Sequence, residues 1–143
     1  DLITRGARPD TIYRELYEQA TLARMRLAGR VLSRITVECE GRLAYTSVAW
    51  SDFEEFGAVA SDTEDLVNEC LRIAGTKGAF IAIEQQNRQV KVSFRSRTDV
   101  NVAAIAEQFG GGGHKQAAGA TLAGPLPQAL ERARIAMHAA LGT

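Results

Sequence analysis

Residues 79–83 read AFIAI, and after a short polar turn residues 90–95 read VKVSFR. The first run is continuously apolar and has the length of a strand, which is typical of a central strand buried on both faces. The second run alternates apolar and polar side chains, as a strand does when only one of its faces is buried. The two runs therefore predict the middle of a β-sheet.

Two more segments with strand character precede this pair. Residues 36–39 and 42–50 flank a short turn that contains a glycine, and they predict a hairpin. The pattern Ser-x-x-Glu occurs at residues 51–54 and 61–64 and matches a capping box, in which the Ser and Glu side chains each bond to a backbone N–H. We therefore expect a short helix to begin at each of these positions.

The segments that follow the pair complete the fold. Residues 100–109 and 127–141 place apolar side chains at helical spacing, and the small apolar run at residues 117–122 predicts another strand. The resulting order of α, ββ, αα, ββ, α, β and α indicates an α/β or α+β protein. We expect a mixed central sheet of about five strands, covered by helices.

A long amphipathic stretch precedes the sheet. From Pro9 to Arg34, apolar side chains recur at three- and four-residue steps, which predicts a helix that is long for a globular domain. The chain starts with Asp1 rather than Met, so we expect an excised fragment whose upstream part is missing. On this interpretation residues 1–34 form a connector helix and residues 35–143 form the domain itself.

Composition narrows the classes of function. The 17 basic and 17 acidic residues cancel, which disfavours a protein that coats polyanions without specificity. An apolar share of 45% without any run of membrane length argues against disorder and against a membrane span. Cys39 and Cys70 lie far apart, which is typical of thiols kept reduced in the cytoplasm. Basic residues nevertheless outnumber acids by eight to four in residues 76–143, where the candidate site lies.

The polar face of the strand at residues 90–95 is the first candidate site. Lys91, Ser93, Arg95 and Arg97 occupy alternate positions and share one face at intervals of roughly 6–7 Å. No acid interrupts this row, and Arg grips phosphate with paired, charge-assisted hydrogen bonds. The row therefore suits an anionic ligand. The alternative is an exposed edge strand that its charges protect from aggregation.

Four consecutive glycines, Gly110 to Gly113, and the following His114 form the second candidate site. Without Cβ atoms this backbone can adopt positive φ and present successive N–H groups, which makes an anion-binding loop. The segment does not match a P-loop, because His follows the glycines where Lys-Ser is required. His114 can donate to a phosphate or stack on a base. The alternatives are a flexible linker and a structural histidine.

Metal chemistry is not predicted within this chain. His114 and His138 are its two histidines, and neither shows the spacing of a metal-ligand motif with the other or with cysteine. The acids between residues 38 and 69 lie mostly at predicted helix starts, where capping and the helix dipole explain them. We therefore assign no metal site and no bound cofactor to these residues.

The two candidate sites together carry a family resemblance. KVSFRS at residues 91–96 and FGGGGHKQAAG at residues 109–119, followed by a closing helix, resemble the DHHA1 domain, the carboxy-terminal domain of DHH-family phosphoesterases. The resemblance extends over residues 35–141. It is strongest to the branch of bifunctional oligoribonucleases and phosphatases of pAp (3′-phosphoadenosine 5′-phosphate). Cyclic-dinucleotide phosphodiesterases and RecJ-type exonucleases are relatives.

The resemblance implies a division of labour between two domains. A missing amino-terminal DHH domain, joined in cis, would hold two divalent metal ions, typically manganese, and the present domain would bind the substrate. In this arrangement Ser93, Arg95 and Ser96 would contact phosphate or ribose, and His114 would assist at the scissile phosphate beside the metals. The implied substrate-binding set comprises both motifs: Lys91, Ser93, Arg95, Ser96, Gly111, Gly112, Gly113 and His114.

Three functional hypotheses follow. In the first, the domain binds short single-stranded RNA, pAp or a related nucleotide for a cytoplasmic phosphoesterase, contacts no membrane and is inactive alone, with homodimer formation left open. In the second, it is a regulatory module that binds RNA or a cyclic dinucleotide without a catalytic partner. In the third, it is an accessory for dimerisation or tRNA editing, which the His after the glycines disfavours.

Overall fold

The computed structural model describes residues 22–97 and 99–142. Residues 22–33 are helical and are called α1. The predicted connector helix begins at Pro9, and its first part lies outside the described residues. Leu27 and Val31 of α1 are fully buried among residues of the sheet and of later helices. The described part of this helix is therefore packed on the domain.

After α1, the described residues form six strands, four further α-helices and one 3₁₀ helix. In chain order these elements are β1 (Thr36–Glu38), β2 (Leu43–Val48), α2 (Trp50–Phe56), the 3₁₀ helix (Ala60–Thr63), α3 (Leu66–Leu71), β3 (Gly78–Glu84), β4 (Val90–Ser96), α4 (Val102–Glu107), β5 (Gly112–His114), β6 (Ala117–Leu122) and α5 (Leu126–Leu141). No helix among them has the length and hydropathy that crossing a bilayer requires.

The strands form one mixed sheet in the order β1-β2-β3-β4-β6-β5. Only the pair β2–β3 is parallel; the other four pairs are antiparallel. A parallel pair needs a crossover connection, and α2, the 3₁₀ helix and α3 supply it. The predicted mixed sheet covered by helices is thus confirmed. Its sixth strand is β5, which is formed by part of the glycine run and by His114.

Helices cover the two faces of the sheet unequally. The alternation along β3 divides the core, because Ala79 and Ile81 point to one face and Phe80 and Ala82 to the other. On the first face, α1, α2 and α3 pack over β2 and β3 with a buried cluster that includes Leu27, Val31, Phe53, Val67 and Cys70. On the second face, α4 and α5 pack across the sheet with a cluster that includes Phe94, Val102, Ile105, Ala133 and Met137.

The two predicted capping boxes are wrong. The helix α2 begins at Trp50, and the carboxylate of Asp52 accepts the N–H of Ala49 at 2.8 Å. Residues 61–63 belong instead to the 3₁₀ helix, where the carboxylate of Asp62 accepts the N–H of Val59 at 2.9 Å. Each helix begins one residue before the predicted serine, because a nearby aspartate supplies a charged acceptor for the backbone.

Candidate functional site

Beyond β3 most of the first sheet face is open: α3 approaches β4, and no helix covers the rest in the part of the chain that the structure describes. This surface lies on β4, β6 and β5, and none of its residues is buried. We call it the open face, and it consists of Lys91, Ser93, Arg95, Gly112, His114, Ala117, Gly119 and Thr121. Residues that pair directly across strands point to the same side of a sheet. The sheet register therefore brings the two predicted sites onto a single surface.

The register aligns the cations with the histidine. Arg95 pairs with Ala117, and Ala117 pairs with His114, so all three lie in one row across three strands. Two strand spacings separate the backbones of Arg95 and His114 by roughly 10 Å. In the next row, Ser93 pairs with Gly119, which pairs with Gly112. Ala117, Gly119 and Gly112 thus form a surface of small residues, which we call the glycine floor, beside Arg95 and His114. Each of these two side chains can bind an anion.

The cations of the open face have no acidic partners within residues 22–97 and 99–142. Lys91 is exposed and forms no ion pair there, and the exposed side chain of His114 forms neither a hydrogen bond nor an ion pair in the same described residues. Arg95 is held by its own strand, because its Nη1 donates to the carbonyl of Phe94 at 2.9 Å. That bond leaves most of the guanidinium donors of Arg95 available to a ligand.

Two residues near the row lie outside the open face. The Nε of Arg97 donates to the carbonyl of Leu71 at 2.9 Å and so caps the end of α3. Ser96 points to the opposite side of β4 and is only 4% exposed. Its hydroxyl donates to the carbonyl of Val100 at 2.7 Å. Both side chains connect β4 to neighbouring segments instead of extending the row.

The glycine run is partly a strand and not wholly a loop. A Cβ on Gly111 would lie 2.1 Å from the carbonyl oxygen of Gly119, and one on Gly113 would lie 2.6 Å from that of Ala117. Gly113 also has a φ of +146°, whereas Gly112 does not lie in the positive-φ region. Nothing described lies within 4 Å of a Cβ placed on Gly112. Close pairing with β6 therefore requires glycine at 111 and 113, but not at 112.

A cleft of about 540 Å³ adjoins the open face. Lys91, Ser93 and Arg95 form one wall, and Trp50 and Phe53 of α2 lie among its other lining residues. The remaining lining comes from the 3₁₀ helix, from α3 and from the end of β3. Lys91, Ser93 and Arg95 therefore belong to the open face and also line the cleft.

A shallower depression of about 460 Å³ continues from Lys91 along the sheet. Lys91 lines both the cleft and this depression, and the depression is otherwise bordered by β6 and by Gly110, Gly111 and Gly112. The cleft and the glycine floor therefore form one continuous surface. The sequence analysis did not select Trp50 as a site residue. The one feature of the sequence that marks it is that Trp50 is the single tryptophan of the chain.

The described residues do not provide a metal site. No three side chains of His, Cys, Asp or Glu within 22–97 and 99–142 are grouped so that they could hold a metal ion. The manganese ions that the family resemblance implies do not fit these residues. We therefore derive no chemical step through a metal here.

Comparison with known proteins identifies the family. Residues 40–143 match the family model of the DHHA1 domain. The match extends over most of the chain, which therefore belongs to the DHHA1 domain family, as the two motifs predicted.

Two curated relatives agree with this assignment. The chain is 40% identical over 110 residues to the bifunctional oligoribonuclease and PAP phosphatase NrnA of Thermus thermophilus. It is 29% identical over 111 residues to the protein of the same name in Bacillus subtilis. These alignments include 75% and 78% of this chain but only 32% and 34% of the relatives. The chain thus spans about a third of the length of these relatives.

Solved structures share the fold. An exopolyphosphatase-related protein from Bacteroides fragilis superposes with a TM-score of 0.78 at 29% identity, over 96% of this chain and 40% of that one. The pGpG-specific phosphodiesterase PggH from Vibrio cholerae superposes with a TM-score of 0.59 at 18% identity, over 91% of this chain and 43% of that one. The second likeness shows the fold alone.

Proposed function

We propose that this chain is the substrate-binding part of a DHH-family phosphoesterase that hydrolyses short oligoribonucleotides, pAp or both. The observation that carries the proposal is the open face, where Lys91, Arg95 and His114 lie around a floor of small residues. The relatives named as oligoribonuclease and PAP phosphatase support the same substrates. Each of these substrates carries phosphates that need cationic partners.

The residues of the open face divide the binding between them. The guanidinium of Arg95 can donate two parallel hydrogen bonds to one phosphate, and Lys91 adds a mobile charge beside it. The hydroxyl of Ser93 can donate to a phosphate or ribose oxygen. Because Gly112 has no side chain, the ligand backbone can approach β5 closely.

In this proposal the catalytic chemistry belongs to a DHH domain joined in cis. That domain would supply the two divalent metal ions, with manganese implied by the family resemblance. Residues 1–34 would connect it to the binding domain at residues 35–143. His114 would face the scissile phosphate, where an exposed imidazole can donate a hydrogen bond to developing charge. A cytoplasmic location suits such substrates and suits Cys39 and Cys70, which no disulfide joins.

Calorimetric titration of the 143-residue chain with pAp tests the proposal. We expect Arg95→Ala to weaken binding roughly tenfold to 100-fold, because a charged hydrogen bond to phosphate is lost. His114→Ala should also weaken binding while the melting temperature stays constant, because this side chain is exposed. Arg72→Ala is the matched control, since Arg72 directly follows α3, is 75% exposed and pairs only with Glu69 at 3.3 Å among the described residues.

The control should bind pAp within twofold of the wild type. If Arg95→Ala remains folded and also binds within twofold, the open face is not the phosphate site. A wild-type chain that binds neither pAp nor a short oligoribonucleotide would contradict the proposal as a whole.

A further inference from the structure

The cleft beside the open face is lined by aromatic side chains as well as by cations, and phosphate binding alone does not explain the aromatic side chains. Lys91, Ser93 and Arg95 form its cationic wall, whereas Trp50 and Phe53 give it an aromatic part. We infer that this cleft is a nucleobase pocket, which takes one base of the nucleotide whose phosphate the row of β4 holds. The inference rests on the proposed function and adds what the ligand must carry besides phosphate.

The aromatic part is fixed in place by the fold. The backbone N–H of Trp50 donates to Oε1 of Glu84 at 2.8 Å, which ties the start of α2 to the end of β3. The rings of Trp50 and Phe53 lie 5.6 Å apart at 47°. Trp50 is only partly buried, so part of its indole is accessible from the cleft. A rigid aromatic ring beside cations is the arrangement that stacks a base while its phosphate is bound.

Aliphatic side chains extend this apolar surface along the sheet. Ile81 and Ile83 of β3 lie in the cleft next to the row of β4, because Ile81 pairs with Ser93 and Ile83 with Lys91. The two isoleucines are 1% and 9% exposed, so they form the base of the cleft beside the polar side chains of β4. A polyphosphate has no apolar surface that could pack against these isoleucines. A nucleotide can contact the apolar side chains with its base and the cations with its phosphate.

The charges of the cleft orient such a ligand. Glu64 and Glu84 line the cleft along with the cationic row, and Gln85 and Gln86 lie near the end of β3. Glu84 is already engaged by the N–H of Trp50 and lies 3.6 Å from Arg88. Carboxylates repel a phosphate but accept hydrogen bonds from base amino groups or ribose hydroxyls. The phosphate therefore lies at Lys91 and Arg95, and the base lies toward Trp50.

The size of the cleft limits how much of the ligand enters it. A volume of about 540 Å³ is within the range of pockets that enclose one small molecule. One base and its sugar fit such a volume, while the rest of an oligonucleotide would continue past Lys91 onto the glycine floor. The pocket thus selects ligands that carry a nucleoside over phosphates that carry none.

Trp50 provides its own reporter, because it is the only tryptophan among the 143 residues. Titration of the wild-type chain with pAp should quench its fluorescence to saturation, whereas ribose 5-phosphate and tripolyphosphate should leave it unchanged. By calorimetry, Trp50→Ala should weaken pAp binding about tenfold to 100-fold, the usual loss when a stacking ring is removed. Trp50→Phe should retain most of the affinity, since it keeps a ring.

A matched control separates the pocket from the helix that carries it. Phe56 lies on α2 too, but it packs under the guanidinium of Arg30 at 4.9 Å and does not line the cleft. Phe56→Ala should therefore leave the affinity for pAp within threefold. It should also leave the fluorescence quenching of Trp50 by pAp in place.

The outcomes distinguish this inference from the proposed function. If pAp binds with dependence on Arg95, but Trp50 is not quenched and Trp50→Ala binds within twofold, the nucleobase pocket is wrong and the phosphate site stands. If ribose 5-phosphate binds as tightly as pAp, the nucleobase pocket is also wrong. If the wild-type chain binds no nucleotide, both fail. Should Trp50→Ala not fold, the quenching of the wild-type chain by pAp decides the question.

Discussion

Gly112 and Gly113 are neighbours in one edge strand, yet their surroundings differ. A Cβ on Gly113 would enter β6 and would sit on a backbone with positive φ. A Cβ on Gly112 would meet nothing described within 4 Å. The sheet thus explains one glycine, and the proposed ligand explains the other. Adjacent residues of identical type can therefore be required for different reasons.

Alanine substitution at these two positions separates the reasons. We expect Gly113→Ala to lower the free energy of unfolding by about 1–3 kcal/mol through backbone strain and crowding. Gly112→Ala should change it by less than about 0.5 kcal/mol, as an exposed substitution does, but should weaken binding of pAp. Urea unfolding and calorimetry measure the two effects. Wild-type affinity in Gly112→Ala would show that no ligand approaches β5.

At the scale of elements, the ion pair of Arg34 and Asp52 joins the end of α1 to the start of α2. Arg30 adds weaker pairs with Asp52 at 3.7 Å and with the more exposed Glu55 at 2.8 Å. The guanidinium of Arg34 donates to both oxygens of Asp52, at 2.5 and 2.8 Å, and the N–H of Ala49 donates to the same carboxylate at 2.8 Å. Asp52 is only 2% exposed. The hydrogen bonds from Arg34, more than the bond from Ala49, hold the pKa of Asp52 below its usual value, against the effect of burial.

This pair predicts how acid affects stability. Because the folded pKa of Asp52 is depressed, its stabilisation is complete above the unfolded value of about 4 and is lost as the pH falls through the folded pKa. Asp52→Asn should cost about 1.5–3 kcal/mol at pH 7 and should flatten the fall of stability below about pH 4. Urea unfolding from pH 7 to pH 2 measures both.

Asp65→Asn is the control for the acid experiment. Asp65 also pairs with an arginine, Arg24 at 3.2 Å, but its side chain is 73% exposed. An exposed pair contributes little, so this variant should unfold within about 1 kcal/mol of the wild type at pH 7. If Asp52→Asn and Asp65→Asn behave alike, burial of Asp52 does not strengthen its pair.

At the scale of the whole molecule, the sheet is used in two ways. Strands β2 and β3 are covered by helices on the first face and build a core there. The half formed by β4, β6 and β5 leaves most of its open face uncovered among the described residues. Helices α4 and α5 support that second half from behind. The sheet thus presents the proposed binding groups, and strand register sets their positions.

This division predicts binding without hydrolysis. We expect the 143-residue chain to bind pAp and short oligoribonucleotides but to release no nucleotide from them in the presence of manganese. The reason is that its described residues group no three metal ligands, whereas the proposed phosphate site needs only the cations of the open face. Chromatography of the reaction products measures release. Manganese-dependent release by the pure chain would contradict the proposed division between two domains.

A reading frame that continues upstream of Asp1 distinguishes the first two functional hypotheses. A DHH domain encoded there in cis would support the phosphoesterase. A stand-alone gene for a chain that binds the same nucleotides would favour the regulatory module instead.

Features that depend only on residues close together in the chain could be predicted from the sequence alone. The alternation of VKVSFR placed Lys91, Ser93 and Arg95 on one face, because side chains of any strand alternate with period two. The continuous apolar run at 79–83 predicted the central strand for a similar reason. The two motifs, read together, predicted the DHHA1 family. The glycine run marked a special backbone, although its pairing as β5 could not be read locally.

Which of the site residues lie next to one another depends on the tertiary structure. Strand register set Arg95 and His114 in one row, and the packing of α2 brought Trp50 to the cleft beside that row. The bond from Arg97 to the carbonyl of Leu71 removed that side chain from the open face. Ser96 lies off the open face for a local reason, because side chains alternate along β4. Periodicity describes one element at a time, whereas register and helix packing depend on contacts between residues far apart in sequence. That is the physical reason why the sequence predicted the cations but missed the aromatic ring beside them.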